Sequence, residues 1–109
     1  MTEARVVLTT TGTRDEAQKI ATALVDRELA ACVNIVGPIR SIYRWQGKVE
    51  NAEEFLLLVK TWGEAYDDVE AAIRELHSYE LPECIAIRVE KGSEEYLDWL
   101  ESSVQSDNE

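Results

Sequence analysis

Histidine, cysteine and proline are all scarce in this chain. Its 109 residues hold one histidine, two cysteines, two prolines and one phenylalanine. The cysteines, Cys32 and Cys84, make no disulfide framework. With His77 they fit no zinc-finger or zinc-ribbon spacing. No apolar run approaches the roughly 20 residues of a membrane-spanning helix. The opening stretch MTEARVVLTT lacks the basic segment and long apolar core of a signal peptide. A cytoplasmic protein with reduced thiols is therefore expected. Positive charge is scarce too. Eleven Lys and Arg face 22 Asp and Glu, a net charge of −11. A nucleic-acid partner, which needs clustered basic residues, is disfavoured, and so is an anionic membrane surface. Cations are permitted, although acidic helix exteriors serve solubility first. Standard catalytic signatures are missing: no G-x-S-x-G, Walker loop, G-x-G-x-x-G or H-E-x-x-H.

What is present is a regular alternation of strand and helix signals. ARVVLTTTG reads as a strand rich in β-branched residues that stops at Gly12. Thr13 followed by Glu16 predicts a capped helix, with Ala17, Ile20, Ala21, Leu24 and Val25 on its apolar face. AACVNIV is a second strand, interrupted at Gly37-Pro38 and continued by IRSIYRW, where Tyr43 and Trp45 share a face. A reversal follows at Gln46-Gly47. EFLLLVKTW is apolar almost throughout, as in a strand covered on both faces. Thr61 and Glu64 predict another capping box, opening a helix that Pro82 forbids from continuing. CIAIRVEKG is a last strand, and Ser93 caps a short final helix. The order β-α-β-β-α-β plus a terminal helix is the ferredoxin-like α+β arrangement, with both crossover helices on one sheet face. The domain spans 1–104 and 105–109 reads as a flexible tail. A bare apolar sheet face predicts an oligomer.

Four groups could carry chemistry. His77 is suited to proton transfer or metal ligation, or it simply caps the helix it follows. Cys32 and Cys84 could offer soft ligands to copper or zinc, or pack as small hydrophobes. Lys60 ends an apolar strand and could hold an anion or reach solvent. Tyr43, Arg44 and Trp45 fit an interface anchor better than a stacking site.

The stretches LAACVNIVGPIRSIYRWQGKVE, LLLVKT, LHSYELPE and YLDWL resemble, in order and spacing, the segments of the CutA family of divalent-cation tolerance proteins. The resemblance covers Val6 to Val104. It implies a homotrimer with long hairpin strands, in the cytoplasm, linked to tolerance of copper and other divalent ions, with no obligatory cofactor. It implies His77 and Cys32 as metal candidates. Lys60, Tyr43, Trp45, Tyr79, Glu80 and Glu83 are then expected to gather at a cleft between subunits. Ser78 stands where the family has proline, so a looser corner is expected. Thr9 and Leu76 stand where some metal-binding members carry cysteine and histidine, so a copper site taken whole from them would lack ligands. The leading expectation is a non-enzymatic copper or divalent-cation protein. A PII-like signalling module with ligands in the clefts is the second reading. An enzyme pairing His77 with Glu83 is the third.

Overall fold

The computed structural model describes residues 2–104, so the expected tail at 105–109 lies outside the described residues. The elements run β1 (Ala4–Thr11), α1 (Arg14–Asp26), β2 (Cys32–Trp45), β3 (Lys48–Trp62), α2 (Tyr66–Leu76), β4 (Ile85–Arg88) and α3 (Glu94–Ser102). The strands form one antiparallel sheet in the order β2-β3-β1-β4. This is the ferredoxin-like topology expected from the sequence. Among the described residues no helix is long and apolar enough to cross a membrane.

Local chemistry sets the element ends. Thr13 Oγ1 accepts the Glu16 N–H at 3.1 Å and starts α1. Ser93 does the same for α3, accepting from the Tyr96 N–H. The second expected capping box does not form. Thr61 is fully buried and donates its hydroxyl to the Leu29 carbonyl at 2.6 Å, while the Gly63 N–H is held by the Glu3 carbonyl. With both tied to the sheet, the chain makes a 3-10 turn over Gly63–Ala65, and α2 starts only at Tyr66.

The core lies between the helices and one sheet face. Ile20 and Leu24 of α1 and Val69 and Ile73 of α2 close over Val7, Leu57 and Val59. Each such side chain contributes about 1.5–3 kcal/mol through burial. The other face is covered only in part within the chain. Leu56 and Leu58 of β3 are only half-buried there, and Ile85 and Ile87 are exposed. Here α3 packs on β1 and β3.

The β2-β3 hairpin closes at Gln46-Gly47, with φ of 50° and 81°. Positive φ at both positions is what a two-residue type I′ turn requires, and glycine supplies the second without strain. Farther down, Val36 pairs with Leu56 but Ile39 pairs with Glu54, so Gly37 and Pro38 together oppose Phe55. This bulge changes the phase of β2. Even-numbered residues face the open side before it and odd-numbered ones after it, because directly opposed residues share a face. Tyr43 and Trp45 thereby join the face of Leu56 and Leu58.

Candidate functional site

The corner after α2 is built around His77. Its side chain is fully buried, with Nε2 2.6 Å from the Thr10 carbonyl oxygen and Nδ1 3.1 Å from the Tyr79 backbone nitrogen. A backbone amide can only donate, so Nδ1 accepts and Nε2 carries the proton that goes to Thr10. Both ring nitrogens are thus committed to fixing the loop against β1. Glu16 reinforces the corner from α1, because its two carboxylate oxygens accept the Ser78 N–H and hydroxyl, each at 3.1 Å. The corner is therefore not loosened at Ser78, as the sequence suggested. A proline there could make neither of these bonds.

Tyr79 lies against the His77 ring, with centroids 4.7 Å apart, and donates its hydroxyl to Glu54 Oε2 at 2.8 Å. Glu54 is only 8% exposed. Among the described residues it has no basic partner, and its other oxygen accepts no hydrogen bond. Burial and the Glu54 charge push the Tyr79 hydroxyl above the usual phenol range. Burial, and then the same charge, push the Glu83 carboxyl up as well. In both groups burial is the larger cause and Glu54 adds to it.

Glu54 opens into a pocket of about 640 Å³. Strand β2 supplies Ser41, Ile42, Tyr43 and Trp45, and β1 supplies Thr10. The corner loop supplies Tyr79, Glu80, Leu81 and Glu83. None of the lining residues is basic. Five of the candidates read from the sequence, Tyr43, Trp45, Tyr79, Glu80 and Glu83, are brought together here. Glu54, Leu81, Ile42, Ser41 and Thr10 were missed. The available signal for Glu54 was its period-two relation to Leu56 and Leu58, which puts it on the open face.

Lys60 and Cys32 stand apart from this pocket. They oppose each other across β2 and β3. Lys60 Nζ donates to Asn34 Oδ1, and Cys32 Sγ lies 4.0 Å from the same oxygen. Lys60 pairs with Val6. Thr10 is farther along β1 by roughly 13 Å at about 3.3 Å per residue. His77 and Cys32 therefore do not converge within one chain. Among the described residues no group of three or more His, Cys, Asp or Glu side chains is assembled to hold a metal ion. Cys84 packs at the edge of the core, near the Tyr66 hydroxyl, and burial pushes its thiol up.

The chain is similar to known proteins over nearly its whole length. A sequence model of the family described as CutA1 divalent ion tolerance protein matches residues 5–103. The divalent-cation tolerance protein CutA of Thermus thermophilus is 50% identical over 95 residues, covering 87% of this chain and 92% of that protein. Its counterpart from Archaeoglobus fulgidus is 44% identical over 91 residues, covering 84% and 88%. A solved Thermus thermophilus CutA1 structure superimposes with a TM-score of 0.92 at 46% identity, covering 94% of this chain and 99% of that one. The CutA structure from Xylella fastidiosa gives 0.92 at 36% identity, with the same coverage. By sequence and by fold, the chain belongs to the CutA1 divalent ion tolerance protein family.

Proposed function

We propose that this chain serves divalent-cation tolerance by binding the ions as a homotrimer, without a catalytic step. The observation that carries the reading is the Glu54-Glu83 pair. Burial and then the Glu54 charge hold the Glu83 carboxyl above its ordinary range, and a bound cation would offset that charge. Two carboxylates are too few to coordinate an ion fully, so the remaining donors come from water or a second chain. The uncovered apolar face with Leu56, Leu58, Ile85 and Ile87 supports assembly. The family's association with divalent-ion tolerance supports the choice of ligand.

The donor chemistry refines the metal. Copper was expected from the family resemblance, with His77 and Cys32 as its candidate ligands. One has both ring nitrogens engaged, and the other lies at the far end of the sheet. Carboxylate and water donors suit harder ions such as Mn²⁺, Mg²⁺ or Ca²⁺. Calorimetric titration with Mn²⁺, Ca²⁺ and Cu²⁺ tests this order. The proposal expects binding that Glu83→Gln weakens at least tenfold. Equal affinity in both proteins would remove the pair from the site. The commitment of His77 to Thr10 and Tyr79 supports a non-enzymatic role, since it leaves the imidazole no free ring nitrogen. The PII-like signalling alternative loses support for an anionic cleft ligand, because the pocket is acidic and Lys60 lies outside it.

A further inference from the structure

The buried ring of His77 stands between two possible sets of partners, and one set is in use. In the neutral ring Nε2 donates to the Thr10 carbonyl and Nδ1 accepts the Tyr79 N–H. The Glu16 carboxylate lies just beyond, with Oε1 3.8 Å from Nδ1. That is too long for a hydrogen bond, but a closing of about 1 Å gives the length of a charge-assisted one. Glu16 is already held in place, since Ser78 donates its N–H and its hydroxyl to the two carboxylate oxygens. Among the described residues, the titratable groups paired with the ring are Glu16 from α1 and Tyr79 from the corner loop. Strand β1 presents the Thr10 carbonyl. Glu54 of β3 stands one residue removed, on the Tyr79 hydroxyl.

A proton taken from solvent at Nδ1 exchanges one set for the other. The ring then has two donors and no acceptor. The Tyr79 N–H loses its partner, and the new N–H faces a carboxylate at a buried site, where such a pair is strongest. We propose that His77 is a proton-operated latch: neutral, it holds the corner loop by the Tyr79 amide; protonated, it turns to Glu16 and frees the loop. Histidine is the side chain that ordinarily changes charge between about pH 5 and 8, so mild acid is the signal. Glutamates ordinarily keep their charge above about pH 4.3, which leaves Glu16 able to receive the proton's charge. The freed segment carries the Tyr79 donor to Glu54 and leads to Glu83, so the latch reaches both carboxylates of the proposed ion site. It goes beyond the divalent-ion reading without resting on it. Its contacts lie within one chain, around a side chain that is fully buried there.

The test uses the full-length assembled protein, by hydrogen-exchange NMR from pH 8 to pH 5, with rates corrected for the intrinsic effect of pH. Ring ¹⁵N signals of His77 report its protonation in the same samples. Protection of the Tyr79 amide is expected to fall roughly tenfold or more as the ring takes its proton, while the Ile20 and Ile73 amides of the core hold theirs. Glu16→Gln keeps an oxygen for Ser78 but removes the charge, and should retain Tyr79 protection at pH 5. His77→Asn places an amide oxygen where Nδ1 was and cannot titrate, so its Tyr79 protection should be flat with pH. It keeps the test decisive even if Glu16→Gln loosens the corner, and circular dichroism checks the fold of both variants. Tyr79 protection that survives ring protonation would overturn the proposal. So would a ring still neutral at pH 5, or a loss of protection in His77→Asn equal to that of wild type.

Discussion

Tyr79 and Glu54 are 25 residues apart in sequence, and the phenol of one donates to the carboxylate of the other across 2.8 Å. The bond joins the corner loop to the middle of the hairpin, so the pocket's floor and one wall are held as a unit. It also fixes the Glu54 carboxylate at the pocket, with one oxygen accepting from the phenol.

Tyr79→Phe should therefore loosen the corner and destabilise the protein by about 1–2 kcal/mol. Hydrogen bonds to charged groups contribute about 1.5–3 kcal/mol, and the partial exposure of Tyr79 moves the expectation to the lower end. Urea denaturation at fixed protein concentration measures it. A loss below 0.3 kcal/mol would mean that the bond contributes nothing net, a threshold set by ordinary surface substitutions at about ±0.5 kcal/mol or less.

Alkaline pH should unfold the protein through its tyrosines. Burial, together with the neighbouring Cys84, pushes Tyr66 up to about 12, and Tyr79 moves the same way. An unfolded tyrosine ionises near 10. Below that pH both states hold the proton and the folded state's advantage is intact. Above it the unfolded chain releases protons that the folded chain keeps, so stability falls as pH rises from about 10 towards 12. Denaturation midpoints across that window should drop, and should drop less steeply in Tyr66→Phe. Parallel slopes in the two proteins would refute the assignment.

Glu83→Gln should raise thermal stability at pH 7. The folded state prefers Glu83 protonated because of burial and the Glu54 charge. Wild type is free of the penalty in acid, where the carboxyl is neutral in both states, and acquires it as pH rises above about 4.3, the usual glutamate value. Glu83 is only partly buried and keeps more than a third of its surface exposed, so solvent screening reduces the gain to a few tenths of a kcal/mol. That corresponds to about 1–3 °C in a domain of this size. Melts at pH 4 and pH 7 should show the advantage only at the higher pH. A variant that melts lower at both would contradict the repulsion between Glu54 and Glu83.

Much of the fold was legible because helical and strand periods are local. The α1 face, the Gln46-Gly47 reversal and the Pro82 stop all follow from a few neighbouring residues. The site was less legible because it depends on register. Nothing in LVKT reveals that Lys60 pairs with Cys32 rather than reaching the corner. Glu54, beside Glu53, looks like a solvated charge until its strand is paired. The capping box at Thr61 failed for a tertiary reason, since Leu29 claims the hydroxyl first. His77 was readable as unusual, but only its two partners show that it is a structural tie. The bulge at Gly37-Pro38 decided which hairpin aromatics reach the pocket, and two residues of sequence gave little hint of that phase change.

That bulge leads to a further prediction. A Cβ at position 37 would sit 2.5 Å from the Phe55 ring, far inside contact distance. Phe55 is buried and cannot swing away without disturbing Arg14, whose guanidinium lies 4.8 Å over the ring. Gly37→Ala should cost about 1–3 kcal/mol, the usual scale for overpacking. Unchanged stability would show that the ring relaxes freely.

The proposed trimer makes the open sheet face its interface, and Leu58 lies near the middle of that face. Leu58 pairs with Leu8 on one side and Asn34 on the other, and it is half-buried in the single chain. Its side chain contributes nothing to the helix-covered core. Leu58→Asp should therefore leave the secondary structure intact while placing an unpaired charge in the interface, at a desolvation cost of several kcal/mol per subunit. Light scattering coupled to size exclusion should give three chain masses for wild type and one for the variant, with matching far-UV circular dichroism. A wild-type protein that elutes as a monomer at micromolar concentration would sink the trimer. A Leu58→Asp protein that still assembles would move the interface to another surface.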